Sequence, residues 1–336
     1  MKIFETSISS SDTAKINEVL IEGNLGFGEN VSKLEKEYSK FSKKNYNIAT
    51  NSASAAAYII FSYLKELYGT CDVYTTSLGF VSPAWAAKTL GHNIIYVDVN
   101  RQLLFDSQDY LSKRIDNKNQ KVLMPVLYGG VSSIQGWRIV GDEIVVTDSA
   151  HCVTPTIKTD FSFFSFHPFK PICSSDGGMI STNSQEASDY FCSYRNFGRK
   201  NTGNTYDIVQ DGFKFYMNNL NATIALTSIE KYDNLLKKRK DNFDKIRQEI
   251  SSEVEVIEHD ANSSYYIGSA FSEKADKVME GISLVRLYPM LHKTQMMGDN
   301  STLRNLENWH SSIINFPIHH NLSHEEIRHI IDTILK

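Results

Sequence analysis

The chain has 336 residues, of which 41% are hydrophobic and 22% charged, and its formal net charge is -4. This composition is typical of a globular protein, and the length is sufficient for one large α/β domain and a smaller second domain. The weak negative charge and the lack of a long basic run argue against nucleic acid or an anionic membrane surface as a partner. No apolar run approaches the roughly 18 residues that a membrane-spanning helix needs, so we expect a soluble protein.

The four cysteines, Cys71, Cys152, Cys173 and Cys192, are widely spaced and include no CxxC pair. Such spacing indicates neither a metal site nor a disulfide framework. The amino terminus also lacks the apolar core of a secretory signal peptide. We therefore expect a cytoplasmic protein without a bound metal.

In chain order, the first strong pattern is a helix over residues 31–41, whose apolar residues recur at helical spacing. Short β-rich runs then alternate with helical segments as far as residue 196. This order predicts an α/β fold with a mostly parallel sheet and helices on both faces. The predicted strands are 46–50, 73–75, 94–99, 122–126, 144–147, 161–166 and 178–182, and the predicted helices are 53–67, 82–90 and 107–114.

The second half of the chain has a different pattern. A long helical region over residues 219–248 precedes a strand at 254–257, a strand at 264–272, a helix at 274–280 and a strand at 284–288, and a helix at 322–335 closes the chain. Segments 201–205 and 293–304 are predicted to be irregular loops. We therefore predict a large domain over residues 1–235 and a smaller carboxyl-terminal α+β domain over residues 236–336.

The segment Asn51-Ser-Ala-Ser-Ala-Ala56 directly follows the first predicted strand. Small residues at the start of a helix leave backbone N–H groups free to bind an anion, and the helix dipole favours a phosphate there. Ser52 and Ser54 could add hydroxyl donors and are therefore candidate phosphate ligands. The alternative is an ordinary N-cap before an alanine-rich helix that packs in the core.

An apolar strand ends at Asp148, and His151 follows three residues later. A carboxylate at this position can hold a pyridine nitrogen protonated, which strengthens a cofactor as an electron sink. Its burial requires such a cationic partner, because an unpaired buried charge is very costly. The alternative is an aspartate that caps the following turn, beside a structural histidine.

Lys170 lies in the segment Phe164-Ser-Phe-His-Pro-Phe-Lys170, after a predicted strand, and Asp176-Gly-Gly178 leads into the next strand. Desolvation among aromatic residues lowers the pKa of a lysine towards neutrality, which an imine-forming amine requires. The alternative is a solvent-facing lysine in an ordinary connecting loop.

The three segments occur in the order found in fold-type I enzymes that use pyridoxal 5'-phosphate (PLP). In detail they resemble the DegT/DnrJ group of sugar aminotransferases, which typically has S/N-G-T/S-x-A, then D-x-A-H/Q, then S-F-H/Y-x-x-K followed by G-D/E-G-G. The corresponding segments here are Asn51 to Ala56, Asp148-Ser-Ala-His151, Ser165-Phe-His-Pro-Phe-Lys170 and Asp176-Gly-Gly178. Weaker similarities extend over most of the chain, so the resemblance implies the PLP-dependent transferase fold of type I.

The resemblance also implies catalytic roles. Lys170 would form the Schiff base with PLP and move a proton between the substrate and the cofactor. Asp148 would pair with the pyridinium nitrogen, and His151 would lie near the phenolic oxygen. Phe80 would stack on the cofactor ring.

For the phosphate, the resemblance implies Ser165, Ser54 and the backbone of Ala53 as ligands. The family usually has glycine at position 53, where a methyl group would cost stability if the backbone needed a positive φ. At the position of Lys214 the family often has an asparagine contributed by the neighbouring subunit; a lysine would act there as a point charge. Because family sites lie at a subunit interface, the resemblance implies a homodimer.

The implied reaction is a ping-pong transamination. An amino acid, usually glutamate, gives its amine to the cofactor, and a nucleotide-linked keto sugar then accepts it, for amino-sugar and surface polysaccharide (O-antigen) synthesis. Two alternatives stay open. One is a PLP-dependent sugar dehydratase, a branch that has histidine in place of the lysine but a segment similar to Asn51-Ser-Ala-Ser. The other is a catalytically silent member that binds PLP or a nucleotide sugar.

Overall fold

A seven-stranded sheet forms the centre of the amino-terminal part of the chain. The computed structural model describes residues 1–282 and 286–336. The strands are β1 (Tyr46–Thr50), β2 (Asp72–Thr76), β3 (Asn93–Val97), β4 (Lys121–Met124), β5 (Ile144–Asp148), β6 (Phe161–Ser165) and β7 (Gly178–Thr182). They lie in the order β1-β7-β6-β5-β4-β2-β3, and β7 is antiparallel to both neighbours whereas the other pairs are parallel. The prediction of a mostly parallel sheet is confirmed.

Both faces of this sheet are buried under helices. Successive strand residues point to opposite faces, and Phe163 and Phe164 of β6 accordingly belong to two different hydrophobic clusters. The same holds for Met179 and Ile180 of β7. The helices of this part are α1 (Thr13–Glu22), α2 (Glu29–Ser42), α3 (Ala53–Tyr68), α4 (Val81–Thr89), α5 (Ser107–Lys113) and α6 (Gln185–Tyr194).

The segment around residues 199–208 is a hairpin of β8 (Arg199–Asn201) and β9 (Tyr206–Ile208), which pair in an antiparallel sense. The prediction of an irregular loop over residues 201–205 was therefore wrong in part, because those residues form the tip of the hairpin. Helix α6 was also not predicted, although the Ser184 side chain caps it by accepting a hydrogen bond from the N–H of Ala187.

A single helix, α7 (Asn219–Ile250), crosses the predicted domain boundary. Its first half packs in the large domain, where Ala225 and Tyr232 lie in a cluster with Leu34 of α2. Its second half packs in a separate cluster that contains Phe243 and Ile314. We propose that the boundary lies inside this helix, near residue 235, because the two halves belong to different cores.

The carboxyl-terminal part contains a small antiparallel sheet covered by helices. Its elements are β10 (Glu255–Val256), β11 (Gly268–Phe271), α8 (Ala275–Gly281), α9 (Arg304–Trp309), β12 (Ile313–Phe316) and α10 (His324–Leu335). The predicted strand 284–288 begins outside the described residues, and residues 286–288 are irregular. Within the described ranges, no helix is both long and apolar enough to span a bilayer.

Candidate active site

A cavity of about 380 Å³ opens at the edge of the central sheet where the parallel strands end. Its lining includes the second residue after each of β1, β4, β5 and β6, which is where open parallel sheets bind ligands. The volume is within the usual range for small-molecule sites. Among the predicted site residues, the cavity is lined by Ser52, Ala53, Ser54, Phe80, Asp148, His151, Ser165 and Lys170.

The start of helix α3 forms one wall of the cavity. Ser52 is its N-cap, and the side-chain oxygen accepts a hydrogen bond from the N–H of Ala55 at 3.1 Å. The Ser54 hydroxyl donates to the Ser82 hydroxyl at 2.9 Å. Because the first N–H groups of a helix have no intrahelical acceptor, this wall presents donors suited to a phosphate.

Position 53 accepts an alanine without backbone strain. The non-glycine residues with positive φ are at other positions, so Ala53 does not need the conformation that would favour glycine. The tight approach is instead at Gly178, where a Cβ would lie 2.5 Å from the carbonyl carbon of Ser52 and 2.6 Å from the nitrogen of Ala53. The glycine at the start of β7 therefore lets the strand pass directly behind the phosphate wall.

Asp148 is the last residue of β5, and its side chain is buried in the cavity wall. Among the described residues, its carboxylate accepts one hydrogen bond, from the N–H of Ala150 at 3.0 Å. Burial raises the pKa of Asp148 from 3.8 to about 6, and the Ala150 hydrogen bond and the charge of Lys170 oppose this rise only in part. Within the described part of the chain the carboxylate forms no direct ion pair, so the close cationic partner that its burial requires is missing.

His151 follows in the loop after β5 and is also buried. Its Nε2 atom lies 2.8 Å from the Tyr288 hydroxyl, whereas its buried Nδ1 atom has no hydrogen-bond partner among the described residues. Burial, together with the charge of Lys170, lowers the pKa of His151 well below its ordinary value. The imidazole is therefore neutral at physiological pH and retains capacity for one more hydrogen bond.

Lys170 lies in the loop between β6 and β7, in a turn closed by its own N–H and the carbonyl of His167 at 2.9 Å. Burial lowers the pKa of Lys170 from 10.5 to about 8, while the negative charge of Asp148 opposes the fall. A substantial fraction of the amine is therefore neutral near pH 8, as the sequence predicted for a nucleophilic lysine.

Several residues of the cavity were not predicted from the sequence. Phe4, His167, Phe169, Tyr266 and Tyr288 all line it. Phe4 comes from the amino-terminal segment and the two tyrosines from beyond α7, so none of these three follows a strand of the central sheet. Aromatic rings thus line the cavity that contains Lys170, and the ring of Tyr266 contacts its amine.

Lys214 does not line this cavity. Its side chain is exposed, and its backbone carbonyl accepts a hydrogen bond from the side-chain amide of Asn51 at 3.2 Å. It therefore lies on the surface beside the phosphate wall of its own chain, and its predicted role stays a prediction.

The residues of the cavity fit bound PLP. The buried carboxylate of Asp148 and the unpaired Nδ1 of His151 are the groups that a protonated pyridine nitrogen and a ring oxygen would satisfy. The helix start supplies donors for a phosphate, and Lys170 supplies an amine of lowered pKa. A mostly parallel sheet with these groups at its carboxyl edge defines a PLP-dependent enzyme of fold type I.

The model of the DegT/DnrJ/EryC1/StrS aminotransferase family matches residues 6–335, and the chain belongs to this family. It is therefore a PLP-dependent enzyme of a family of sugar aminotransferases. The predicted family, fold class, enzyme class and cofactor are confirmed.

Several solved structures have the same fold. The chain is similar to Helicobacter pylori PseC, an aminotransferase involved in the biosynthesis of pseudoaminic acid, with a TM-score of 0.90 and 19% identity over 99% of this chain and 98% of that one. It is also similar to the sugar aminotransferase CalS13 of Micromonospora echinospora, with a TM-score of 0.89 and 19% identity over 99% and 98% of the two chains. For Spr1654 of Streptococcus pneumoniae in its PMP form the TM-score is 0.88 and the identity 20%, over 99% and 98% of the chains.

Proposed function

We propose that this protein transfers the amino group of an amino acid, glutamate, to a nucleotide-linked keto sugar, in the cytoplasm, for amino-sugar and surface polysaccharide synthesis. The observation that carries the proposal is the half-buried amine of Lys170, whose pKa is lowered by desolvation and which lies in the same cavity as the carboxylate of Asp148. Membership of the DegT/DnrJ/EryC1/StrS aminotransferase family supports the sugar as acceptor.

Each of the buried groups has a task in this reaction. Bound PLP supplies an aldehyde that condenses with amines and a ring that withdraws electrons from the carbon carrying the amine. Asp148 would hold a proton on the ring nitrogen, and neutral His151 would donate a hydrogen bond from an N–H at its unpartnered Nδ1 to the ring oxygen. The neutral amine of Lys170 takes a proton from the substrate carbon and returns it to the cofactor side.

The amine-donor half of the reaction can be tested without knowing the sugar. Purified enzyme with PLP is mixed with glutamate alone, and 2-oxoglutarate is measured. We expect about one equivalent of 2-oxoglutarate per active site, and continued release only when a nucleotide-linked keto sugar is added. Mass spectrometry with UDP-, GDP-, dTDP- and CDP-linked keto sugars then identifies the aminated product.

The two alternatives give different results in the same assay. A dehydratase would remove water from the sugar without stoichiometric incorporation of the amine. A silent member would bind PLP or the sugar and release no 2-oxoglutarate. Either result would contradict the proposed transamination.

The surface around the cavity supports a homodimer. Ser54 and Ser82 line both the cavity and an adjoining hollow that contains the exposed side chain of Trp85. Two further surface pockets contain the exposed side chains of Phe213 and Phe27, respectively. Exposed apolar surface of this kind is typical of an interface, and a second copy of the chain would bury it.

A hybrid dimer tests whether Lys214 acts across the interface. Lys170→Ala and Lys214→Ala proteins are mixed, unfolded and refolded together, and the activity of the mixture is compared with that of each variant alone. If Lys214 reaches the partner's phosphate, a hybrid contains one site with both lysines, so activity should rise to about a quarter of the wild-type value from near zero.

The readout is sharpest at a PLP concentration that saturates only the wild type, because Lys214→Ala is expected to weaken PLP binding. A mixture no more active than the average of its two components would contradict the assignment of Lys214 to the partner's site.

A further inference from the structure

Tyr266 contacts the amine of Lys170, and the proposed reaction gives this tyrosine no task. Its hydroxyl oxygen lies 3.3 Å from Nζ of Lys170, and Nζ lies 4.4 Å from the centroid of its ring. Both distances are in the range of attractive contacts, a hydrogen bond for the first and a cation–π interaction for the second. One side chain thus contacts the amine in two ways.

We propose that Tyr266 positions the Lys170 amine: its hydroxyl accepts a hydrogen bond from the amine and holds it beside Asp148 and His151 whenever the amine is not bonded to the cofactor. This inference rests on the proposed function. Only a lysine whose bond to the cofactor breaks and re-forms during turnover needs a residue that fixes the position of its free amine. Tyr266 is a positioning residue and takes no proton itself.

Backbone hydrogen bonds to a glycine turn fix the position of Tyr266. Its N–H donates to the carbonyl of Gly129 at 3.1 Å, and the N–H of Ser264 donates to the carbonyl of Gly130 at 2.7 Å. A Cβ at Gly130 would lie 3.0 Å from the nitrogen of Tyr266 and 2.9 Å from the carbonyl oxygen of His151. The glycine turn therefore lets the Tyr266 segment lie directly against the His151 loop.

Two neighbouring rings restrict the position of the Tyr266 ring. It stacks on Phe4, with 4.6 Å between the ring centroids, and lies 4.2 Å from the imidazole of His151. Only 7% of Tyr266 is exposed. A rigid hydroxyl in contact with a flexible lysine reduces the number of positions that the amine visits, which is what a proton transfer over a short distance requires.

The charged and titratable groups around this pair determine its protonation. Asp148 raises the pKa of Lys170, and Lys170 in turn lowers the pKa of His151 and of His167. Asp176 and Tyr288 also line the cavity, and the buried Arg239 of α7 and the phenol of Tyr128 act on Tyr266. Burial raises the pKa of Tyr266 above its ordinary value, so it stays a neutral phenol.

A neutral phenol oxygen that accepts from the amine favours the ammonium form, because a hydrogen bond to a charged donor is stronger than one to a neutral donor. Removing the hydroxyl should therefore lower the pKa of Lys170 relative to the wild type. More of the amine would then be neutral at pH 7, although it would be held less well.

The chain provides a matched control. Tyr265 is adjacent in sequence and equally buried, but its ring packs against Phe243 and His259 in the carboxyl-terminal core. Tyr266→Phe and Tyr265→Phe remove the same atom from neighbouring positions. Loss of a buried hydroxyl as such should affect both alike, whereas the loss of a holder for Lys170 should affect only the first.

The experiment measures Lys170 in the protein without cofactor. Trinitrobenzenesulfonate labels the amine at a series of pH values, and peptide mass spectrometry follows the peptide that contains Lys170. For Tyr266→Phe we expect the midpoint of labelling to fall by about half a unit to one unit, the size that a single hydrogen bond produces. With PLP bound, the rate constant for the single release of 2-oxoglutarate from glutamate should fall about tenfold, whereas Tyr265→Phe should match the wild type in both measurements.

An unchanged or raised midpoint in Tyr266→Phe would overturn the proposal, as would an equal change in Tyr265→Phe. A Tyr266→Phe protein that melts far below Tyr265→Phe would also overturn it, because the hydroxyl would then be a structural group. The labelling requires neither sugar nor turnover. Failure to find amine transfer would therefore refute the proposed function while leaving the labelling result intact, and the reverse also holds.

Discussion

Lys170→Ala should abolish amine transfer and remove the near-visible absorbance that PLP acquires when it forms a Schiff base with the protein. Loss of a positioned acid–base group alone lowers a rate by about 10²–10⁴-fold, and Lys170 would also lose its covalent role, so we expect a fall at the upper end of that range or beyond. Absorbance spectra in amine-free buffer and 2-oxoglutarate release from glutamate measure the two effects.

Lys158→Ala is the matched control for this experiment. Lys158 lies in the loop between β5 and β6, and its side chain is exposed. This variant should keep the absorbance band and the wild-type rate. A Lys170→Ala protein with an unchanged band would show that another lysine binds the cofactor.

Asp148→Asn should affect activity and stability in opposite directions. An asparagine cannot hold a proton on the ring nitrogen by its charge, so amine transfer should fall at least about 100-fold, the scale for losing one electrostatic partner at a reacting centre. The cofactor-free variant should nevertheless be more stable than the wild type at pH 7.5, by up to about 3 kcal/mol. Activity assays and urea unfolding of the cofactor-free proteins measure the two changes.

The sign of the stability change follows from the pKa of Asp148, which folding raises from 3.8 to about 6. The contribution of this group to stability is fully present below about pH 4 and is lost as the pH rises through 6, because the charged form is disfavoured in the fold. An asparagine loses no proton, so the two proteins should differ little at pH 4 and most above pH 6. A variant less stable than the wild type at pH 7.5, with normal activity, would contradict the account.

Opposite effects of this kind are expected where a fold keeps a group for function at the expense of stability. Asp148 accepts one hydrogen bond from the described residues, and the unpaired Nδ1 of His151 lies in the same cavity wall. Both would gain a partner from PLP, so the cofactor should stabilise the wild type more than it stabilises Asp148→Asn.

The strands of the central sheet were predictable because most of their residues are buried on both faces and because helices separate the first four along the chain. β1 and β7 have the predicted bounds, and the other strands differ from prediction by one or two residues at their ends. Helix α6 was missed although signals were present: Ser184 as a cap, and Ala187 and Phe191 four residues apart. The strands β8 and β9 were hard to predict because their residues are largely exposed. Apolar and polar residues alternate along a strand only when one of its faces is buried.

The catalytic part of the site was predictable for a different reason. Asp148, Ser165 and the start of α3 follow strands of one parallel sheet, so strand ends alone bring them to one edge. Tyr266 and Tyr288 follow no such strand, and Tyr266 is 96 residues from the lysine that it contacts. The positions of these two tyrosines depend on how the carboxyl-terminal part packs against the cavity. The hydrophobic periodicity of the sequence does not predict that packing.

Position 53, where the family usually has glycine, does not require a glycine in this structure. Its backbone conformation is ordinary, and the close approach that excludes a side chain occurs at Gly178. The role of Lys214 stays a prediction, since this residue lies outside the cavity of its own chain.

The central claim is that Lys170 binds PLP covalently, and one measurement tests it directly. The protein is incubated with PLP, reduced with borohydride, digested and analysed by mass spectrometry. The account predicts that the phosphopyridoxyl group is on the peptide containing Lys170, at about one group per chain, and that Lys170→Ala carries none. Stoichiometric labelling of a different lysine, or none in the wild type, would contradict it.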